Sequence, residues 1–404
     1  MAKPLRLLAG LAFALALALP VSSHADEPGY FKVPGTDTAL KLYGYIELDG
    51  TYDMSGRIAD IEDYDWASIV PVQPLKNTPD AKETGQLYFT ARTSRFGIQT
   101  SSPTSYGPLG TKLEGDFNGP NGYQGQTYTN SVLFRLRHAY GTLGGFLVGQ
   151  TWTLFLDFPS SPETVDFNGP GSVALVRQPQ VRYTFSPTEG LTLAAALENS
   201  HNGGVGHVPD VTAKASYGAG WGTAGLALMT NQYRYDQPGS STPRSGTRQG
   251  YGLAFSGSFK IGPSDSVQGL LAGGDGIGRY LFNTAAGQFS GTAPDGSFRL
   301  WRVWAYHLGY AHTWTQVLRS NLVWSQTFFN RNGIDPASFP TSDNAAAGTF
   351  DPNWRIDQLF VNAFYTVTKN AELGLEYELG RRHTFDRQIG SEDRITASAH
   401  YNFF

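Results

Sequence analysis

Apolar and polar residues alternate one by one along most of the chain. In residues 40–52, apolar or small residues occupy every second position, and polar residues such as Lys41, Glu47 and Asp49 lie between them. Because successive side chains of a β-strand point to opposite faces, this period of two predicts a strand with one apolar and one polar face. The same pattern recurs in residues 108–117, 191–198, 210–217, 251–261, 372–379 and 395–403.

The lengths of the strands and connections favour a membrane barrel over a soluble sandwich. The predicted strands run ~9 to 13 residues, which suits a tilted strand crossing a bilayer, whereas soluble strands usually have ~5 to 6. Short connections alternate with long ones, as the periplasmic turns and outer loops of bacterial barrels do, which predicts an all-β transmembrane antiparallel barrel of about 16 strands. The long connections are residues 54–84, 118–130, 155–172, 235–247, 276–296 and 331–353.

The amino-terminal segment is typical of a secretory signal. Lys3 and Arg6 precede an apolar run at residues 7–19, and small residues follow as far as Ala25. This pattern predicts a signal peptide over residues 1–25, cleaved after Ala25 and too short to span a bilayer. Residues 26–404 are predicted to form one outer-membrane barrel domain.

The composition agrees with an exported barrel. Charged residues make up 16% of the chain, below the roughly 25% of a typical soluble domain, and Gly occurs 48 times. There is no Cys, so no disulfide framework is expected. Without Lys3 and Arg6, 28 basic residues remain against 34 acidic ones, a net charge of −6. A weakly acidic chain without a basic block is a poor nucleic-acid binder.

Two arginines interrupt the apolar run SVLFRLRHAYG. Arg135 and Arg137 alternate with Phe134 and Leu136, which places the guanidinium groups on one face and the apolar side chains on the other. In a barrel with a water-filled interior, the apolar face contacts lipid and the arginines face the lumen. Arg135 and Arg137 are therefore predicted to line the pore.

Other arginines share this predicted position. Arg92 and Arg182 lie in the lumenal phase of nearby strands, and Arg95 joins them if a bulge resets the alternation after Arg92. A guanidinium stays charged and offers a fork of donors that matches a carboxylate or phosphate, so this column predicts a track for anions. Alternatively, the arginines pair with lumenal acids and stiffen the wall; these acids are Glu47, Glu114 and Asp116.

The connection at residues 155–172 is a candidate for a loop that narrows the pore. Its prolines and glycines preclude a strand, and its mixture of apolar and acidic residues suits a segment folded against the inner wall. We expect Asp157, Glu163 and Asp166 of this third long connection to oppose the arginine column, which would create a transverse field across the pore. The alternative is an ordinary outer loop.

The remaining motifs favour structural roles. The stretch GGDGIG has no helix after it, and His201 and His207 lack a third ligand, so neither a nucleotide site nor a metal site is predicted. No nucleophile elbow is present, and we expect neither enzymatic activity nor a cofactor. Five aromatic residues mix both strand phases, which favours an interfacial belt and packing; they are Trp301, Trp304, Tyr306, Tyr310 and Trp314.

Several motifs together resemble the DcaP-like porin family of Gram-negative outer membranes. They are FKVPGTDTALKLYGYIELD, SRFGIQT, LEGDF, FRLRHAYG, GQTW, PETVDFNGP, VRQPQVRYTF and GDGIGRY. The resemblance runs from Phe31 to the end of the chain, and residues 135–185 are its most specific part. It implies a trimer of sixteen-stranded barrels, each narrowed by an inward third loop, that passes small anions such as dicarboxylates.

Carried onto this chain, the resemblance implies a narrow zone with arginines on the wall and acids on the loop. It adds Arg177 to the wall residues Arg92, Arg135, Arg137 and Arg182. The expected partners are small anionic solutes, outer-membrane lipid and lipopolysaccharide, and two further copies of the chain.

The leading functional hypothesis is a passive porin for small anionic solutes. One alternative is a general, weakly selective porin, which the lumenal acids Glu372, Glu376 and Glu378 would favour. From a different class, a structural or adhesive outer-membrane protein would carry a peptidoglycan-binding domain or much longer loops.

Overall fold

The computed structural model describes most of the chain. The described residues are 29–55, 68–119, 133–200, 207–237, 244–284, 288–335 and 352–403. The predicted signal peptide and Phe404 lie outside them, as do parts of the long connections. In the described part, no helix is long and apolar enough to cross a membrane.

The strands form a closed antiparallel barrel, which confirms the predicted fold class. The strands are β1 (Phe31–Lys32), β2 (Ala39–Ser55), β3 (Gln86–Thr90), β4 (Arg95–Ser102), β5 (Leu109–Asp116), β6 (Arg135–Leu143), β7 (Phe146–Trp152), β8 (Arg177–Thr188), β9 (Leu191–Glu198), β10 (Asp210–Ala219), β11 (Gly222–Gln237), β12 (Arg244–Ile261), β13 (Asp265–Asp275), β14 (Ser290–Thr292), β15 (Phe298–Leu300), β16 (Arg302–Thr313), β17 (Leu318–Asn330), β18 (Asn353–Thr368), β19 (Ala371–Thr384) and β20 (Ile389–Asn402).

The barrel wall consists of sixteen strands when β3 and β4 are counted as one. Strands β3 and β4 both pair with β2 and act as one wall strand interrupted at residues 91–94. Strand β20 pairs with β2 and closes the barrel. The short β1 pairs at the end of β2, and β14 and β15 form a separate hairpin.

The alternation along each strand separates the outer and inner faces as predicted. Leu136 and Leu375 are 44% and 58% exposed on the outer face, whereas the inward Glu376 is only 1% exposed. Trp304, Tyr310 and Trp314 also lie exposed on the outside, while Trp301 is fully buried. The aromatic run thus divides between outer surface and packing.

Much of the inner face carries apolar side chains, whereas the wall of a water-filled lumen is expected to be polar. Inward residues of β11, β13 and β16 form a buried cluster with residues of the connections. The wall supplies Met229, Leu270 and Val303, and the connections supply Phe155 and Ile277. Because burying apolar surface is favourable, these contacts hold the connections inside the barrel. The interior is therefore filled on this side rather than open all round.

Three connections fold inward, each with short 3-10 turns. The first contributes Val70–Val72, the third Phe158–Ser160, and the connection after β13 contributes Gly278–Tyr280 and Phe282–Thr284. Asp80–Lys82 is a further 3-10 turn, in the first connection. The sequence predicted only the third connection as an inward loop.

Candidate pore constriction

A bulge in β6 places successive polar residues inside the barrel. Arg135 lies opposite Asp116, and His138 lies opposite Glu114, so Arg137 is an extra residue in this strand. An extra residue leaves the ladder unpaired locally and redirects side chains. Consequently, Arg135, Arg137 and His138 all contact inward-facing partners on β5 or β7.

The two arginines form a compact network with two carboxylates of β5. Nε and Nη2 of Arg135 donate to the two carboxylate oxygens of Asp116 at 2.9 and 2.7 Å. Arg137 donates from Nε to Glu114 at 2.7 Å and from Nη1 to Asp116 at 2.8 Å. The structural pairing considered as an alternative for these residues is thus present.

The interruption between β3 and β4 positions two further arginines. Arg92 lies in this turn, not on a strand as the alternation predicted, and its carbonyl accepts a hydrogen bond from the Phe117 amide. The turn breaks the ladder and resets the phase, so Arg95 faces inward at the start of β4. Its guanidinium lies 4.9 Å from the Tyr45 ring centre and its Nε 3.8 Å from Glu114.

Two arginines of β8 contact Trp152 in different ways. Arg177 stacks on the indole, with its guanidinium carbon 3.9 Å from the ring centre. Arg182 donates from Nη2 to the Trp152 carbonyl and from Nε to Gln180 at 3.0 Å. The Trp152 ring is itself packed edge-on against His138 and Phe158.

The connection between β7 and β8 runs inside the barrel along the strands that lie away from the arginines, and it contacts β10, β17 and β19. Near its start, Lys214 of β10 pairs with Asp157 and also donates to the Leu156 carbonyl at 3.0 Å. Further along, Glu163 forms a bidentate pair with Arg319 of β17 at 2.8 and 2.6 Å. Both acids are therefore engaged by cations outside the arginine column.

The tip of this loop is fixed to β19 and to the first connection. Glu376 accepts hydrogen bonds from the backbone amides of Val165 and Asp166 at 3.0 and 2.7 Å. The Asp166 carboxylate accepts from the Ser68 amide at 2.8 Å and lies 3.7 Å from Arg394. Burial raises the pKa of Asp166, although Arg394 acts in the opposite direction. The loop tip therefore presents little free negative charge.

The surface that the loop turns toward the arginines is aromatic. Phe167 lies with its ring centre 5.8 Å from the Arg135 guanidinium. Each of the three loop acids has a partner elsewhere, which differs from the expected arrangement of acids facing the arginine column. The loop thus approaches the arginine wall through Phe167 without contributing a matching row of free carboxylates.

Positive charge exceeds negative charge on the arginine side. Four guanidinium groups act electrostatically on one another and on Asp116, and Glu114 is the second carboxylate among them. Four positive charges against two negative ones leave an excess of two, to which Lys112, 3.3 Å from Glu114, adds a third. The four are Arg95, Arg135, Arg137 and Arg177.

The motifs outside this site lie in ordinary structural positions. The stretch GGDGIG forms the end of β13 and the turn after it, where Ile277 is buried in the apolar cluster. His207 precedes β10, and His201 lies outside the described residues.

A family model described as DcaP outer membrane protein matches residues 3–403. The chain belongs to the DcaP outer membrane protein family. The resemblance inferred from the motifs is therefore confirmed, and with it the location in the Gram-negative outer membrane.

Solved and curated proteins are similar to this chain in structure or in sequence. The outer membrane channel DcaP of Acinetobacter baumannii is 26% identical, with a TM-score of 0.75 over 92% of this chain and 99% of that one. The anion-selective porin of Comamonas acidovorans, 12% identical with a TM-score of 0.56 over 91% and 100%, shares the fold. Porin Omp2b of Brucella canis is 27% identical over 215 residues, 48% of this chain and 52% of that protein. The matched part spans about half the length of this curated relative.

Sequence reasoning missed a buried acidic cluster in this DcaP-family barrel. The Ser68 hydroxyl lies 2.8 Å from Glu378 and 2.7 Å from Glu392, and both carboxylates are at most 1% exposed. The one hydroxyl of Ser68 therefore joins two carboxyl groups that lie on neighbouring strands. The alternation indicated that Glu378 faces inward, but Ser68 lies in a connection without periodicity, and no local signal pointed to the contact with Glu378 and Glu392.

Proposed function

We propose that this DcaP-family protein is an outer-membrane porin through which small anionic solutes, such as dicarboxylates, diffuse passively. The observation that carries the proposal is the excess of positive charge on the wall formed by β4, β5, β6 and β8. Fixed charges at a narrow point raise the local concentration of oppositely charged solutes and set the sign of selectivity.

The geometry of the loop supports the same conclusion. Asp157 and Glu163 are paired with Lys214 and Arg319, and Asp166 is buried, so these acids do not cancel the arginines across the passage. An anion that enters beside Phe167 therefore meets the net positive wall. No chemical step is part of the proposed function.

A weakly selective general porin is the second candidate. The lumenal acids that would favour it are used in anchoring: Glu376 holds the loop tip, Glu378 binds Ser68, and Glu372 pairs with Arg319. These partners reduce the free negative charge that solutes would meet, and the first candidate has more support.

We further propose that the working unit is a homotrimer embedded in outer-membrane lipid and lipopolysaccharide. The wall is low at β4 to β7, where strands have 7 to 9 residues, compared with 16 to 18 in β11, β12 and β18. On the outer face of this low wall, Phe96, Phe117 and Phe134 pack against one another and present an apolar surface for a second copy.

Single-channel recording of the purified protein in a planar bilayer tests the proposal. Under a KCl gradient, we expect conductance in steps of three and a reversal potential directed toward the chloride equilibrium potential. Added succinate should produce brief interruptions of the current. A reversal potential near zero would favour the weakly selective general pore, and a cation-directed one would contradict the anion porin.

A further inference from the structure

We propose that Arg177 is the residue that binds the anionic group of the solute, whereas Arg135 and Arg137 set the electrostatic field. This inference rests on the proposed function, because it assigns a binding role within the same arginine wall. In this proposal, Arg135 and Arg137 determine the sign of the channel's selectivity, and Arg177 determines how long a solute stays bound.

Arg135 and Arg137 have their best donors engaged already. Both the Nε and one terminal nitrogen of each guanidinium donate to Asp116 or Glu114 at 2.7 to 2.9 Å. A solute would have to compete with two fixed carboxylates for these donors. Arg135 and Arg137 still contribute to the local electrostatic potential, but carboxylates of the barrel wall occupy their donors.

Arg182 is engaged in a different way. It donates to the Trp152 carbonyl and to the Gln180 side chain, so its fork is partly occupied by neutral acceptors. Arg95 stacks on Tyr45 and lies near Glu114. Each of these arginines therefore has a protein acceptor or counter-charge close to the guanidinium.

Arg177 differs from all of them. In the part of the chain that the structure describes, it makes no ion pair, and its buried Nε has no hydrogen-bond partner. One face of its guanidinium is covered by the Trp152 indole at 3.9 Å. Stacking on a ring leaves the terminal N–H donors of a guanidinium free to bind and holds the group in one orientation.

The surroundings hold this arrangement in place. His138 and Phe158 pack edge-on against the Trp152 ring, at 6.1 and 5.4 Å between ring centres, and restrict its movement. The His138 ring is fixed in turn by a 3.0 Å hydrogen bond between Nδ1 and Thr151. Ordering Arg177 before the solute arrives lowers the entropic cost of binding.

The ligand chemistry that fits is an oxyanion with two oxygens able to accept from one guanidinium. A carboxylate and a phosphate both meet this requirement through paired N–H donors. The neighbouring Arg135 and Arg137 act electrostatically on the same region and favour a negatively charged group there. Succinate and inorganic phosphate are therefore the two probes of choice.

The test compares three substitutions in the full-length channel. Arg177→Lys keeps the charge but loses the planar fork and the stacking, Arg182→Lys makes the same change at the neighbouring arginine, and Arg302→Lys makes it in an ion pair on the outer surface. Reversal potentials in KCl report selectivity. The dwell times of succinate-induced and phosphate-induced current interruptions report binding.

We expect Arg177→Lys to leave the reversal potential unchanged and to shorten the succinate dwell time about tenfold, the effect of losing one charge-assisted hydrogen bond. Arg182→Lys should change the dwell time by less than about threefold, and Arg302→Lys should have no effect. A matching loss with phosphate would identify a general oxyanion site, and loss with succinate alone would identify a carboxylate site.

Two results would overturn the inference. An unchanged dwell time in Arg177→Lys would remove Arg177 as the binding residue, and an equal loss in Arg182→Lys would show that binding is spread over the wall. Both outcomes are compatible with an anion-directed wild-type channel. Cation preference in the wild type would instead refute the proposed function itself, so the two failures are distinguishable.

Discussion

Arg135 and Arg137 each pair with acidic residues of the wall and also contribute to its excess of positive charge. Their side chains are tied to Asp116 and Glu114, and yet the cluster as a whole keeps more positive than negative charge. Pairing fixes the direction of each guanidinium, because a bidentate contact restricts its rotation. The uncompensated charge is then available to act on a passing solute.

Changing members of this cluster should shift ion selectivity in opposite directions. We expect Arg135→Ala combined with Arg137→Ala to lower anion preference, because two positive charges disappear while Glu114 and Asp116 remain. Glu114→Gln should raise anion preference, because it removes one negative charge and leaves Arg137 bound to Asp116. Reversal potentials under a KCl gradient measure both changes, and a shift of the same sign in both variants would contradict the charge balance.

At the scale of elements, the inward loop is held by side chains of distant strands. Strands β10, β17 and β19 each supply one charged residue to it, at Lys214, Arg319 and Glu376. These contacts join parts of the chain that are 57 to 211 residues apart. The position of the loop therefore depends on the closed barrel, since only closure brings these strands to the same interior.

The loop tip should become mobile when its anchor on β19 is altered. We expect Glu376→Gln to increase both the mean conductance and the current noise, because an amide has one acceptor oxygen for two backbone donors and directs its NH2 group at one of them. Single-channel recording measures both quantities.

Glu189→Gln in the exposed turn between β8 and β9 is the matched control and should behave as the wild type. Equal noise in wild type and Glu376→Gln would argue against this anchor as the restraint on the tip.

On the scale of the whole molecule, the barrel has two unlike halves. One side is filled by an apolar cluster that includes Val303, Ile356 and Tyr280, and the other carries the arginine wall. The filled half gives the inward connections a surface to pack on, and the arginine wall lies on the other side. The two sides of the interior therefore differ in both packing and charge.

A polar atom introduced into the filled half distinguishes this arrangement from a uniformly wet lumen. Val303 faces inward and is fully buried, so we expect Val303→Thr to lower the free energy of unfolding by about 1–3 kcal/mol through an unsatisfied hydroxyl. Chemical denaturation of the detergent-solubilised protein, followed by tryptophan fluorescence, measures the change.

The same substitution at Val317, which is 42% exposed in the turn before β17, should leave stability unchanged. If Val303→Thr were also neutral, the inner face of β16 would be in contact with water.

The sequence by itself determined the barrel, its approximate strand number and the face on which most side chains lie. These properties depend on a period of two and on segment length, which can be read from the local sequence. Leu136 and Arg135 were assigned to opposite faces for this reason, and the structure places them so.

The tertiary structure alone decided which charges meet. The bulge at Arg137, the turn at Arg92 and the contact of Ser68 with Glu378 and Glu392 depend on register and on loops without periodicity. The loop acids and the arginines looked complementary along the chain, but each charged group pairs with whatever the closed barrel brings within hydrogen-bond distance. Such contacts join residues far apart in sequence, and a local pattern carries no information about them.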